Sequence, residues 1–221
     1  MTVSLGEEIM LLSLDDETGA AKGETAARWG VAAGMLLELV MAGRVTVRGG
    51  RVEVFDPTPT GDALLDGRLD RLTRWVHETS SSRKVVAWLT RDHAKGSQDV
   101  VDSLVARGLV TEEKHRALGV FPVRRYPEAD GTVERELRAR LAAAVLEGAE
   151  PDARTSALVA LVHATGMHPQ AFPGLSKKQV DPRMAEIAEG HWVGVSVREA
   201  IRNLQAAISA VTVVTVLTAV S

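Results

Sequence analysis

Residues 39–55 read LVMAGRVTVRGGRVEVF, closing one helical pattern and turning at once into alternating valines. Upstream, Met35, Leu36, Leu39 and Val40 recur at i, i+1, i+4 and i+5, the apolar stripe of a helix packed on a core. Gly43 falls just past that stripe, where a left-handed residue costs nothing without a Cβ. Val45, Val47, Val52 and Val54 then alternate with Thr46, Arg48, Arg51 and Glu53. Between the two runs, Gly49-Gly50 supplies the positive φ that a tight hairpin demands. The valine face belongs on the helices and the charged face in water. A helix followed directly by a hairpin is the outline of a winged helix, which often means DNA.

Bulk properties weigh against that outline. The chain has 221 residues, 45% of them hydrophobic, enough for one large or two small domains with a substantial core. Its net charge of −3 argues against a large nucleic-acid footprint, which needs a basic excess to displace phosphate counterions. The helix before the hairpin, VAAGMLLELVMAG, carries none of the Arg, Lys, Asn or Gln that read base edges, and Glu38 would repel phosphate. There is no cysteine, so disulfides and thiolate metal sites are excluded and a reducing cytoplasm is the simplest setting. The start, MTVSLGEEIM, places two acids where a signal peptide carries basic residues, so export is not expected.

Along the chain, LGEEIMLLSL (5–14) reads as a short amphipathic helix followed by a DDETG turn, and a longer helix covers about 23–42. FDPTPTGDALLD breaks at two prolines and restarts a helix with Thr60 as its N-cap. Residues 83–92 and 98–107 read as two helices. Leu118, Val120 and Val123 suggest strands, with Pro122 favouring an edge. Helices follow at 132–147, 152–165, 175–189 and 196–219. No charge appears after Arg202, and AAISAVTVVTVLTAV (206–220) is short of the ~20 apolar residues of a membrane span. It reads instead as a last helix, hydrophobic all round because it is buried at the centre of the domain. The expectation is a mainly α protein: a single helical domain over residues 1–221, with a buried C-terminal helix and one or two β-hairpins. A weak echo between LLELVMAGRVTV and VDSLVARGLVTE leaves a tandem winged helix binding nucleic acid as the alternative.

Little of this carries chemistry. Asp62, Asp66 and Asp70 share one helical face, but Arg68, Arg71 and Arg74 are interleaved, and a solvated ion-pair ladder is the commoner outcome. His163 and His168 are five apart without the H-E-x-x-H pattern of a zinc helix. No P-loop, G-x-G-x-x-G or G-x-S-x-G occurs. No enzyme, cofactor or metal is expected. GVFPVRRY places Phe121, Pro122 and Val123 beside Arg124 and Arg125, an apolar tip with basic flanks suited to a membrane interface or to another subunit.

Four stretches taken in order, LGEEIMLLSLDDETG, GMLLELVMAGRV, PTPTGDALLD and LVARGLVTEEK, resemble the Golgi phosphoprotein 3 family over about residues 3–165. The resemblance implies a single, mainly helical domain with a buried C-terminal helix and a projecting hairpin, where GVFPVRRYP stands. Eukaryotic members bind phosphatidylinositol 4-phosphate on Golgi membranes and act as adaptors for glycosyltransferase tails, the hairpin aiding oligomerisation. A family tryptophan of the head-group pocket falls on Gly23 or Glu24, and its arginines fall on Ala32 and near Ala94 and Ser97. Those positions lack the side chains that grip phosphate. Lys22, Arg28, Arg91 and Lys95 lie close in sequence as substitutes. The Gly/Ala/Arg-rich composition resembles that of a high-GC bacterium, where no Golgi exists. The expected function is a non-enzymatic, cytoplasmic adaptor, peripheral on the inner face of a membrane. It should bind anionic lipid weakly, with no strong preference for phosphatidylinositol 4-phosphate, and self-associate through the hairpin.

Overall fold

A computed structural model describes residues 3–15, 19–20, 22–79, 83–117, 121–129 and 131–219, without the side chains of 115–117, 121–123 and 212–219. Among the described residues the order is α1 (Leu5–Ser13), α2 (Glu24–Met41), β1 (Val45–Arg48), β2 (Arg51–Val54), α3 (Ala63–Glu78), α4 (Val85–Ala106), β3 (Glu113–Ala117), β4 (Phe121–Arg125), α5 (Thr132–Val145), α6 (Ala153–Thr165), α7 (His168–Ala171), α8 (Lys177–Ala188) and α9 (Val195–Ala219). The mainly helical reading holds. The opening stretch folds as its pattern dictates: α2 ends at Gly43 with φ 70, and Val47 faces Val52 across the Gly49-Gly50 turn. Val45, Val47 and Val52 are buried in the core.

The centre of the molecule is α2, where every residue from Gly30 to Leu37 is buried. A DNA-reading helix needs an open face, and this one has none along that run. Helix α1 crosses α2 closely, because Gly34 has no side chain: a Cβ there would lie 3.1 Å from the Gly6 amide nitrogen. Helix α1 is not amphipathic as expected. All of Leu5–Ser13 is buried, Glu7 and Glu8 included. Arg107 at the end of α4 donates to both Glu7 carboxylate oxygens at 2.8 Å. Arg140 and Arg154 donate to Glu8 at 2.8 and 3.1 Å, and Arg154 also reaches Glu38 on α2 at 2.9 Å. Burial pulls the Arg154 guanidinium down, but Glu8 and Glu38 outweigh it and hold it above its ordinary value. Arginines from α4, α5 and α6 thus fasten one buried acidic helix, which periodicity alone does not reveal.

Two boundaries differ from the sequence reading. The expected pair of helices at 83–92 and 98–107 is the single helix α4. Gly96, inside it, is a clearance rather than a break, because a Cβ there would collide with the Arg68 guanidinium. The cap of α3 is Asp62, whose carboxylate accepts from the Leu65 amide at 3.0 Å, not Thr60, whose hydroxyl donates to Asp66. Helix α9 buries Ala200, Ile201, Leu204, Ala207 and Ile208, while Ala206, Ser209 and Ala210 are exposed. Over its described side chains it is buried on one face rather than all round. No helix among the described residues is long and apolar enough to cross a membrane.

Helix α6 begins at Asp152, whose carboxylate accepts from the Thr155 amide at 2.6 Å. Burial pushes that carboxyl up, but the Thr155 hydrogen bonds, with Arg140 and Arg154 nearby, carry it below its ordinary value. A carboxyl lowered by folding adds stability above its unfolded pKa and loses it as pH falls through the folded one. Asp152→Ala should therefore cost about 0.5–2 kcal/mol at neutral pH, the usual range for an N-cap. Urea melts of both proteins from pH 7 to pH 3 should show the gap closing below about pH 4, near the unfolded aspartate value. A gap that stays constant down to pH 3 would mean the charge contributes nothing.

Candidate functional site

Two neighbouring hollows open on different faces of α4. The first, of about 130 Å³, lies between α2 and α4. Ala94 and Ser97 line it, so the structure brings two of the resemblance's phosphate-gripping positions to one cavity, with short side chains at both. Arg28 is the one cation among its described lining residues, and Glu24, one turn earlier on α2, pairs with it. Ala32 is fully buried. Gly23, the left-handed residue preceding α2, has φ 65, and a Cβ there would approach Gln170 Nε2 to 2.6 Å. A tryptophan at Gly23 would need this loop rebuilt. An arginine fork gains its strength from bidentate, charge-assisted hydrogen bonds, and this cavity presents one arginine, in an exposed pair with Glu24, and no second cation among its described lining residues.

The second hollow, of about 380 Å³, lies between α3 and α4 and is lined by Arg71, Arg74, Trp75, Glu78, Trp88, Arg91, Asp92 and Lys95. Beneath it Arg68, 0% exposed, pairs with Asp92, 3% exposed, and donates to the Gly96 carbonyl at 3.0 Å. Arg71 bridges Asp99 at 2.6 Å and Asp92 at 3.6 Å. Burial and the Arg71 charge lower the Arg68 guanidinium to about 9, against the pull of Asp99, so it stays charged at neutral pH. Trp75 and Trp88 pack at 5.5 Å between ring centroids and are both buried.

The four basic residues proposed for a head group are therefore distributed over separate places. Lys22 pairs with Asp15 and lines a third hollow, with Arg138 and Gln170. Arg28 lines the α2–α4 cavity, and Arg91 and Lys95 line the α3–α4 hollow. The expected solvated ladder survives only as the exposed Asp70–Arg74 pair, at 2.8 Å. Asp66 accepts from Thr60 and Gly61, and no group of three metal-ligating residues occurs among the described residues. Arg68, expected in the solvated ladder, is instead fully buried. It stands three after Leu65 and four before Leu72, on the buried stripe of α3, a spacing that gives its position away. Trp75 and Trp88 carry no local signal that they would meet.

The second hairpin pairs Glu113 with Arg125 and Ala117 with Phe121, and no third strand joins it among the described residues. Residues 118–120, including Leu118 and Val120, and the side chains of Phe121, Pro122 and Val123 lie outside the described set. At its base the Tyr126 amide donates to Gly19 at 2.9 Å, fastening the hairpin to the segment before α2. Arg124 is exposed and pairs with Glu112 at 3.3 Å. A hydrogen bond to Tyr126 and the Glu112 charge raise its guanidinium further.

The family model for Golgi phosphoprotein 3 (GPP34) matches residues 5–204, from the first turn of α1 into α9. That span takes in both hairpins, the buried acidic helix and the α2–α4 cavity. This chain belongs to the Golgi phosphoprotein 3 family.

Proposed function

We propose that this protein is a non-enzymatic, peripheral adaptor that attaches weakly to anionic membrane and carries a partner there. Family membership supports the adaptor role. The single observation that shapes the membrane half is the α2–α4 cavity, walled by Ala94 and Ser97 with Arg28 paired to Glu24. A cavity with a single arginine fork does not select one phosphoinositide, because isolated surface cations discriminate little between anionic lipids. Attachment then rests on general charge and on the β3–β4 hairpin, and it fades within the range of ionic screening. Arg124 and Arg125 supply charge there, and the hairpin, joined by no third strand among the described residues, suits a second copy of the chain at its edge.

Vesicle flotation tests this reading. Arg91→Ala with Lys95→Ala removes cations outside the cavity and so isolates it. This variant should float equally with phosphatidylinositol 4-phosphate and phosphatidylglycerol at equal surface charge. The native protein should be released from phosphatidylglycerol vesicles as salt rises to about 0.15 M, where the Debye length is about 8 Å. A phosphoinositide preference that persists in the double variant at that salt would put selectivity back in the cavity. No flotation of the native protein even at low salt would remove the membrane role altogether.

A further inference from the structure

The α3–α4 hollow stands apart from the cavity that the family resemblance points to, and its lining has a different chemistry. In a chain of net charge −3, four cations converge on it: Arg71, Arg74, Arg91 and Lys95. Asp92 is committed to Arg68 and Arg71, and Arg71 is further held by Asp99. Arg91 and Lys95 form no ion pair or hydrogen bond among the described residues, and both are exposed. Among the described residues Arg74 is held only by Asp70, in an exposed pair of the kind that contributes little and exchanges readily. Three cations on two facing helices are thus available to a guest. The buried Arg68–Asp92 pair and the Trp75–Trp88 contact beneath them give the hollow a fixed floor.

We propose that this hollow binds a small hydroxylated phosphomonoester, with Arg91, Lys95 and Arg74 on the phosphate and Glu78 accepting from a hydroxyl of the same molecule. Arginine forks match phosphate oxygens in pairs, and a phosphomonoester dianion answers several cations at once, which one carboxylate cannot. The carboxylate of Glu78 disfavours a bare polyanion but suits a guest that also carries hydroxyl donors. A nucleotide base is not expected, because Trp75 and Trp88 are 6% and 1% exposed and offer no open ring face for stacking. The volume of about 380 Å³ lies at the small end of the ligand-pocket range. The same chemistry comes from a free polyol phosphate or from a phosphomonoester lipid head group.

Titration calorimetry of the full-length chain with glycerol 3-phosphate, and flotation with vesicles carrying lysophosphatidic acid, which keeps a free hydroxyl beside its phosphate, against phosphatidylglycerol vesicles of equal surface charge, separate the two sources. Saturable binding tighter than about 1 mM is expected in at least one arm, about −4 kcal/mol or better. Arg91→Ala with Lys95→Ala should weaken it at least tenfold, and Glu78→Gln should change the preference for glycerol 3-phosphate over inorganic phosphate. Arg28→Ala, in the other cavity, should leave it unchanged. Calorimetric binding alone assigns a free metabolite-like ester, and a lysophosphatidic acid preference alone assigns a lipid head group. Absence of binding in both arms, or binding indifferent to the double variant, overturns the site.

Discussion

Deleting residues 203–221 should abolish the cooperative fold. The deletion removes Leu204, Ala207 and Ile208, all buried where α9 packs on α6, α2 and β1. Burial of one Leu or Ile side chain is worth about 1.5–3 kcal/mol, so those two alone account for about 3–6 kcal/mol. Asn203 goes too, and its side-chain oxygen accepts from the Gly50 amide at 2.6 Å, fastening the first hairpin turn to α9. The apolar surface left open on α6 and α2 adds to the loss. A domain's whole stability is about 5–15 kcal/mol, so the deletion takes most of it. Circular dichroism should show helical signal without a sharp thermal transition. A sharp melt within a few degrees of the full chain would show that α9 is an appendage. Leu204→Ala is the milder form and should cost about 2–5 kcal/mol while leaving a measurable melt.

Asp92→Ala should be the most damaging single substitution on α4. It leaves Arg68 charged and fully buried, with the Gly96 carbonyl as its hydrogen-bond partner, Arg71 repelling it and only the Asp99 charge, itself bridged to Arg71, in its favour. Removing one partner of a buried pair typically costs about 3–5 kcal/mol, since the orphaned charge keeps its desolvation penalty. In a chain of this size that corresponds to a fall of about 6–20 °C in Tm. Replacing both members, Arg68→Met with Asp92→Leu, should recover most of the loss, because the pair itself adds little beyond an apolar contact of similar volume. Scanning calorimetry of the native, single and double variants makes the comparison. A single variant within about 1 kcal/mol of native would show that water reaches Arg68.

The elements that were legible in the sequence are those whose signal is local. The β1–β2 hairpin announces itself through valine alternation and a glycine pair, and its strands pair Val45 with Val54 and Val47 with Val52 about that turn. What the sequence hid depends on partners far along the chain. Glu7 and Glu8 look like the polar face of a helix until Arg107, Arg140 and Arg154 are brought to them. Gly96 looks like a helix break until a guanidinium from another helix occupies its missing Cβ. Basic residues that are near in sequence are dispersed over separate hollows for a related reason. On α4, Ala94 and Arg91 are three apart, yet they line different hollows, because each turn of a helix serves several neighbours.

The buried acidic helix also bears on the order of biosynthesis. Glu8 meets Arg140 and Arg154 at separations of 132 and 146 residues. At about 5–20 residues per second, a ribosome needs roughly seven to thirty seconds to deliver those arginines after α1 has emerged. Until then α1 has its apolar side chains ready to bury and two carboxylates that burial would leave uncompensated. Helix α1 is thus made well before the arginines that neutralise Glu8, and its burial is fully compensated only once α6 has emerged.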